Sequence, residues 1–190
     1  MVYGLTGGVG MGKSTAARLI AECRVSVVDS DDLAREVVAV GEPALTEIAE
    51  TFGAEYLDED GKLDRKKMAK LVFNDERARK KLEAIIHPRV RECWQAMVAE
   101  WRAAGQGGVV VIPLLFEVEA QGEFDAVLCV ACTTSTQRER LRLRGWDAKQ
   151  IDARIEAQMG VAAKIELADH VLWNEGSVDA LRDQITRILS

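Results

Sequence analysis

At 190 residues and 20.9 kDa, with 48% hydrophobic and 29% charged residues, the chain has the size and apolar content of one globular domain with room for an insertion, which excludes a disordered or fibrous protein. Its formal charge of −6 argues against a general nucleic-acid binder, and its longest apolar stretch, Val109 to Phe116, is cut by Pro113 and falls far short of the roughly 20 residues a membrane span needs. Four cysteines are too few for a disulfide scaffold, and a start without a basic segment or small-residue cleavage site sets the expectation of a cytoplasmic protein.

Val2 to Leu5 reads as a first strand ended by a glycine-rich turn, and Ser14 to Glu22 as a helix carrying Ala17, Leu19 and Ile20. Val25 to Val28 is a second strand, expected beside the first, with Asp29, Ser30, Asp31 and Asp32 following as loop residues and helix caps. From about Leu33 to Ala104 the pattern is helical throughout, too long for one crossover, and reads as an inserted helical subdomain. Within it Pro43 suits a helix start, and Leu45, Ile48, Ala49 and Phe52 follow at helical spacing up to Gly53. Asp60-Gly61 marks a turn, and Leu82, Ile85 and Ile86 form a stripe expected to stop at His87-Pro88. Val90, Cys93, Trp94, Met97, Val98 and Trp101 then recur on one helical face.

Beyond Gly105 to Gly108, the runs Val109 to Ile112 and Ala126 to Cys132 lack polar alternation, as strands buried on both faces do. Cys129 and Cys132 form a C-x-x-C pair inside the second run and read as buried strand cysteines, because no second pair completes a metal site. A helix from about Ser135, a basic stretch to Arg144, a second helix to about Met159, a strand at His170 to Trp173 and a last helix with Leu181, Ile185 and Ile188 close the chain. Strands alternating with helices predict an α/β fold of five parallel strands flanked by helices.

Charge is unevenly spread: residues 62 to 91 carry eleven Lys/Arg against four Asp/Glu, and residues 138 to 144 carry four Arg against one Glu. Two basic islands on an acidic body suit a small polyanion, or are plain solvated helix faces. Gly7-Gly8-Val9-Gly10-Met11-Gly12-Lys13-Ser14 matches G-x-x-x-x-G-K-[ST] between a strand and a helix, the context a phosphate-binding loop needs. Gly8, Gly10, Met11 and Gly12 offer backbone N–H groups to phosphate, with the Met11 side chain expected to be of little consequence. Lys13 should reach the β and γ phosphates, the Ser14 hydroxyl should ligate Mg²⁺, and Thr15 follows in the same nucleotide site. In-line transfer to a hydroxyl benefits from a carboxylate that takes its proton; Asp31 is the candidate base and Asp29 a candidate for indirect support of the metal. Arg140 and Arg144, four apart on a helix, can present guanidinium groups to phosphate from a mobile lid. Asn174 follows the fifth strand and could line a base pocket.

With these features together, the chain resembles the dephospho-CoA kinase family over nearly its whole length. The resemblance rests on Leu5-Thr6-Gly7-Gly8 leading into the loop; Asp29-Ser30-Asp31 with Arg35; Phe52-Gly53; Asp60-Gly61 with Asp64-Arg65; and His87-Pro88. It continues in Pro113-Leu114-Leu115-Phe116-Glu117, Gln137 with Arg140 and Arg144, Gln158, Ala168-Asp169 and Asn174. It implies a P-loop NTPase fold with an inserted helical substrate domain and a small lid: a nucleotide core at 1–32 and 105–190, an acceptor-binding insertion at 33–104, and a lid at 136–150. The implied activity is transfer of the γ-phosphate of ATP, with Mg²⁺, to the ribose 3′-hydroxyl of dephospho-CoA, by a monomer or small homo-oligomer with no nucleic-acid or membrane partner. The implied roles are Lys13 on the transferring phosphate, Asp31 as general base and Arg140 as a lid cation, with Arg35, His87 and Pro113-Leu114-Leu115 near the acceptor. The family often has glycine just before the second strand, where this chain has Cys23-Arg24, so that turn is expected to differ in shape. A nucleoside-monophosphate or shikimate-type kinase shares the core but not the order of motifs in the insertion, and a GTPase switch would need an N-K-x-D segment that the sequence lacks.

Overall fold

Six consecutive buried residues, Val2–Gly7, form the central strand (β1) of a parallel sheet in the computed structural model, which describes residues 1–189. The other strands are β2 (Ser26–Asp29), β3 (Gly108–Val111), β4 (Ala126–Ala131) and β5 (His170–Trp173), in the order β2-β3-β1-β4-β5. Helices α1 (Lys13–Glu22), α2 (Ser30–Glu36), α3 (Pro43–Phe52), α4 (Arg65–Asn74), α5 (Glu76–Ala103), α6 (Thr134–Leu143), α7 (Ala148–Glu156), α8 (Val161–Leu167) and α9 (Val178–Leu189) complete the described chain. β3 and β4 are buried at every position, as unbroken apolar runs require. β2 does not lie beside β1, contrary to expectation: β3 separates them, pairing Val111 with Leu5 on one side and with Asp29 on the other. The reason is burial, since β3 is apolar on both faces whereas β2 begins and ends in polar Ser26 and Asp29 and tolerates an edge.

The chain divides into two compact units, Met1–Asp29 with the residues from Glu100 onward, and Ser30–Ala99. In the first, Leu5, Leu128 and Val130 of the sheet pack with Leu19 and Ile20 of α1 and Leu181 and Ile185 of α9. Each of these is at most 1% exposed, so truncating one to alanine costs about 2–5 kcal/mol. Gly4 leaves room on β1 for two other side chains: a Cβ there would stand 2.5 Å from Leu115 Cδ1 and 2.7 Å from Phe124 Cδ2. Arg24, in the turn before β2, has φ +62°, so this arginine adopts the left-handed conformation that glycine takes without strain.

In the second unit, Ala44, Leu45 and Ile48 of α3, Met68 of α4 and Ile85, Val90, Trp94 and Val98 of α5 are buried, the stripes the sequence displays. The stripe ending at His87-Pro88 does not end a helix: α5 runs for 28 residues straight through Pro88. Proline removes one ladder bond and crowds the preceding turn, where the Arg89 Nη1 donates to the Ile85 carbonyl at 2.6 Å; Asp75 accepts from the N–H groups of Arg77 and Ala78 at the start of the helix. Asp31 and Asp32 lie in the first turn of α2 rather than in a loop, where carboxylates meet the positive end of the helix dipole. Near the C-terminal end the helix expected to reach about Met159 is α7, and a further short helix, α8, follows Gly160 before β5.

Candidate active site

The Gly7–Gly12 loop leaves the C-terminal end of central β1 and enters α1 through Gly12, whose φ of +100° falls in the left-handed region and whose absent Cβ would stand 2.0 Å from Asn174 Nδ2. No side chain caps α1 and no acidic residue occupies its first turn, whereas α4, α6 and α7 are capped by Asp64, Thr133 and Asp147. The positive pole of α1 is thereby open to an anion, as are those of α3 and α8; what sets α1 apart is the glycine loop that leads into it. Lys13 folds back over the loop, its Nζ donating to the carbonyls of Gly7 at 2.8 Å and Gly8 at 3.2 Å, and the Ser14 side chain is exposed.

The outer rim of the loop is gripped from four sides. Gln137 of α6 donates to the Val9 carbonyl at 2.8 Å, and Gln158, just past α7, accepts from the Val9 N–H at 2.9 Å. Asn174 Nδ2 donates to the Met11 carbonyl at 2.8 Å, and Arg140 donates to the same carbonyl at 3.5 Å and to the Asn174 carbonyl at 3.0 Å. Met11 is not incidental: its side chain is 1% exposed and packs with Ala131, Cys132, Val161 and Ile165, anchoring the loop to the layer beneath.

Beside the loop a cavity of about 300 Å³ is lined by Gly12, Thr15, Arg140, Arg144, Asn174 and their neighbours Leu143 and Val178. Leu143 and Val178 are 82% and 46% exposed, apolar surfaces set next to phosphate-binding groups, which suits the flat apolar face of a nucleobase. Glu175 ties this wall to α6, accepting from the Thr133 N–H at 2.6 Å and the Thr136 hydroxyl at 3.0 Å. Those hydrogen bonds, led by Thr133 and helped by the nearby Arg140 charge, hold its carboxyl below the usual range. Under the loop, burial pushes the Cys129 thiol up to about 11 against the pull of Lys164 and Lys13, which fits a buried strand cysteine.

Pro113, Leu114 and Leu115 form a turn after β3. The Pro113 carbonyl accepts from Thr6 Oγ1 at 3.1 Å and from Lys164 Nζ at 2.8 Å, and Leu115 is wholly buried against Gly4 while Pro113 and Leu114 are half-buried. Asp31, Arg35 and His87 belong to the second unit. Asp31 and Arg35 are one turn apart on α2, both exposed, with Arg35 Nη1 donating to Asp32 at 2.7 Å; His87 is exposed on α5. Among the described residues no group of three or more His, Cys, Asp or Glu could cage a metal ion. Ser14 fits a Mg²⁺ that arrives with phosphate oxygens, since that ion commonly takes one or two protein ligands and completes its shell with phosphate and water.

The sequence places Gln137 and Gln158 in the family pattern without a role. The usable signal was Gln137 sharing the buried face of α6 with Leu141, an amide on an apolar stripe. Glu117 likewise stands in the family pattern without a role, and Leu143, Val178 and Lys164 carry no such signal.

A family model described as dephospho-CoA kinase matches residues 1–180. The dephospho-CoA kinase of Anaeromyxobacter dehalogenans is 46% identical over 100% of this chain and 90% of its own length, and that of Bacillus anthracis is 42% identical over 100% and 96%. Among solved structures, TT1252 from Thermus thermophilus matches with a TM-score of 0.84 at 34% identity, covering 100% of this chain and 96% of that one. A dephospho-CoA kinase from Campylobacter jejuni, at TM-score 0.76 and 23% identity over 99% and 94%, shares the fold.

Proposed function

The chain belongs to the dephospho-CoA kinase family, and we propose that it performs the family's reaction with Asp31 as general base, Lys13 and Arg140 on the phosphates, and Ser14 on Mg²⁺. The reaction is transfer of the γ-phosphate of ATP to the ribose 3′-hydroxyl of dephospho-CoA, giving coenzyme A and ADP in the last step of coenzyme A biosynthesis. The observation that carries the phosphate-side assignment is the loop entering α1 through left-handed Gly12 with Lys13 folded across it, and Asp31 is assigned by the family resemblance.

The loop N–H groups and Lys13 hold the β and γ phosphates and meet the charge that builds on the transferring group. The 3′-oxygen forms its bond to Pγ as the bond from Pγ to the bridging oxygen breaks, ADP departs, and the hydroxyl proton passes to the Asp31 carboxylate. Arg140, held between Met11 and Asn174, directs its guanidinium at the nucleotide cavity, and the adenine lies against Leu143 and Val178. The family resemblance assigns Arg35, His87 and the Pro113-Leu114-Leu115 turn to acceptor binding. Mg²⁺ supplies charge neutralisation and orientation of the phosphate oxygens.

No helix among the described residues is long and apolar enough to cross a membrane, and we place the enzyme in the cytoplasm as a monomer or small homo-oligomer. The test is ADP release by the purified chain with ATP and Mg²⁺, comparing dephospho-CoA with AMP, adenosine, pantetheine and no acceptor, with the product weighed by mass spectrometry. Turnover only with dephospho-CoA and Mg²⁺, abolished in Lys13→Ala, is expected; Mg²⁺-independent turnover or an active Lys13→Ala would overturn the assignment.

A further inference from the structure

Lys164 of α8 is 0% exposed, and its ammonium lies 2.8 Å from the Pro113 carbonyl and 2.9 Å from the Glu117 carboxylate. A buried ion pair is poor value as a source of stability, because well-packed apolar residues in its place are often as good or better. The neighbouring residues of α8, Val161 and Ile165, already pack on Met11, Ala131 and Cys132, so the helix is seated without a charge. What the charge does is join two backbones. The Pro113 carbonyl that takes Lys164 also takes Thr6 Oγ1, from the β1 residue next to Gly7 at the start of the phosphate loop. The Glu117 carboxylate also accepts from the Met159 N–H at 2.9 Å, and the adjoining Gln158 accepts from the Val9 N–H at the loop's apex.

We propose that Lys164 is a positioning residue for phosphoryl transfer: with Glu117 it locks the Pro113–Glu117 turn in register with the start and the apex of the phosphate loop. The inference rests on the reading that this turn flanks the acceptor. Transfer demands that acceptor oxygen and γ-phosphorus meet in line, and misplacement by about 1 Å costs on the order of 100-fold in rate. Binding of ATP alone makes no such demand on the turn.

The test uses the full chain and three variants, Lys164→Met, Glu117→Gln and the double, and reads acceptor-dependent kcat, ATP dissociation constant and slow ATP hydrolysis without acceptor. Lys164→Met is expected to lower transfer about 10- to 100-fold and Glu117→Gln about 10-fold, while ATP affinity and acceptor-free hydrolysis stay within about threefold. The double variant is expected to fall no further than the worse single, as two parts of one lock do. A merely structural lysine would lower both ATP-consuming activities together, and that result, or near-normal transfer in the variants, overturns the proposal. Should Lys164→Met fail to fold, the isosteric Glu117→Gln decides alone. Normal turnover in Asp31→Asn with uncoupling in the lock variants would remove the base and leave the lock; the reverse pair of results would remove the lock alone.

Discussion

Gln137 and Gln158 hold opposite polar groups of the same residue: Gln137 donates to the Val9 carbonyl at 2.8 Å while Gln158 accepts from the Val9 N–H at 2.9 Å. The apex of the phosphate loop is therefore shaped before any phosphate reaches it, and the ordering cost of binding is lowered. Gln137 lies on α6, which also carries Arg140, and Gln158 lies just past the end of α7, so displacement of either helix acts directly on Val9.

Removing one of these grips should weaken ATP binding. A net hydrogen bond is worth about 0.5–1.5 kcal/mol, so Gln158→Ala and Gln137→Ala should each raise the ATP dissociation constant roughly 2- to 13-fold. Calorimetric titration with a nonhydrolysable ATP analogue checks this, and unchanged affinity in both would mean that the loop holds its own shape.

Asp31→Asn keeps the size of the side chain and removes the proton acceptor. With the carboxylate in its proposed role on the acceptor hydroxyl, acceptor-dependent turnover should fall about 10²- to 10⁴-fold with ATP affinity within about twofold. A variant that turns over near the wild-type rate would take Asp31 out of the mechanism.

The thiols should differ sharply in reactivity, since the thiolate is the nucleophile and burial holds Cys129 up to about 11. Exposed Cys23 should alkylate first in the native protein at mildly alkaline pH, and buried Cys129 and Cys132 only after unfolding. The sign for stability follows: the unfolded thiol ionises near about 8.5 and the folded one does not, so Cys129 erodes stability as pH rises from there toward about 11. Peptide mapping of the alkylated protein reads the order; native labelling of Cys129 would contradict the burial argument.

Asp125 joins the start of β1 to the end of α5. Its carboxylate accepts from the Val2 N–H at 2.8 Å and from Arg102 at 3.0 Å, and these partners, Val2 first, hold its carboxyl below the ordinary range. A depressed folded value means stability that is present above the unfolded carboxyl value of about 3.9 and lost as pH falls through the folded one. The melting temperature of Asp125→Asn should thus fall less steeply than that of the wild type below about pH 4. Superimposable acid limbs would remove this group from the acid response.

The phosphate loop, the buried strands β3 and β4 and the apolar stripes of α3 and α5 were determined by the sequence itself, because each depends on neighbours within a few residues. Glycine frees a loop, Lys-Ser follows it at a helix start, and unbroken valine runs have no polar face to expose. Tertiary structure alone decided the order of the sheet, since β3 enters between β2 and β1 only when its two apolar faces are weighed against the polar ends of β2. It decided that α5 continues through Pro88, whose lost bond is a small cost in a helix seated along its length by Ile85, Val90, Trp94 and Val98. It also decided the grip on Val9 and the burial of Lys164, because these join residues 128, 149 and 51 positions apart. Hydrophobic period reveals which face of a helix turns inward; a hydrogen bond to a particular carbonyl is set only when distant segments have packed and that carbonyl has no water left to meet.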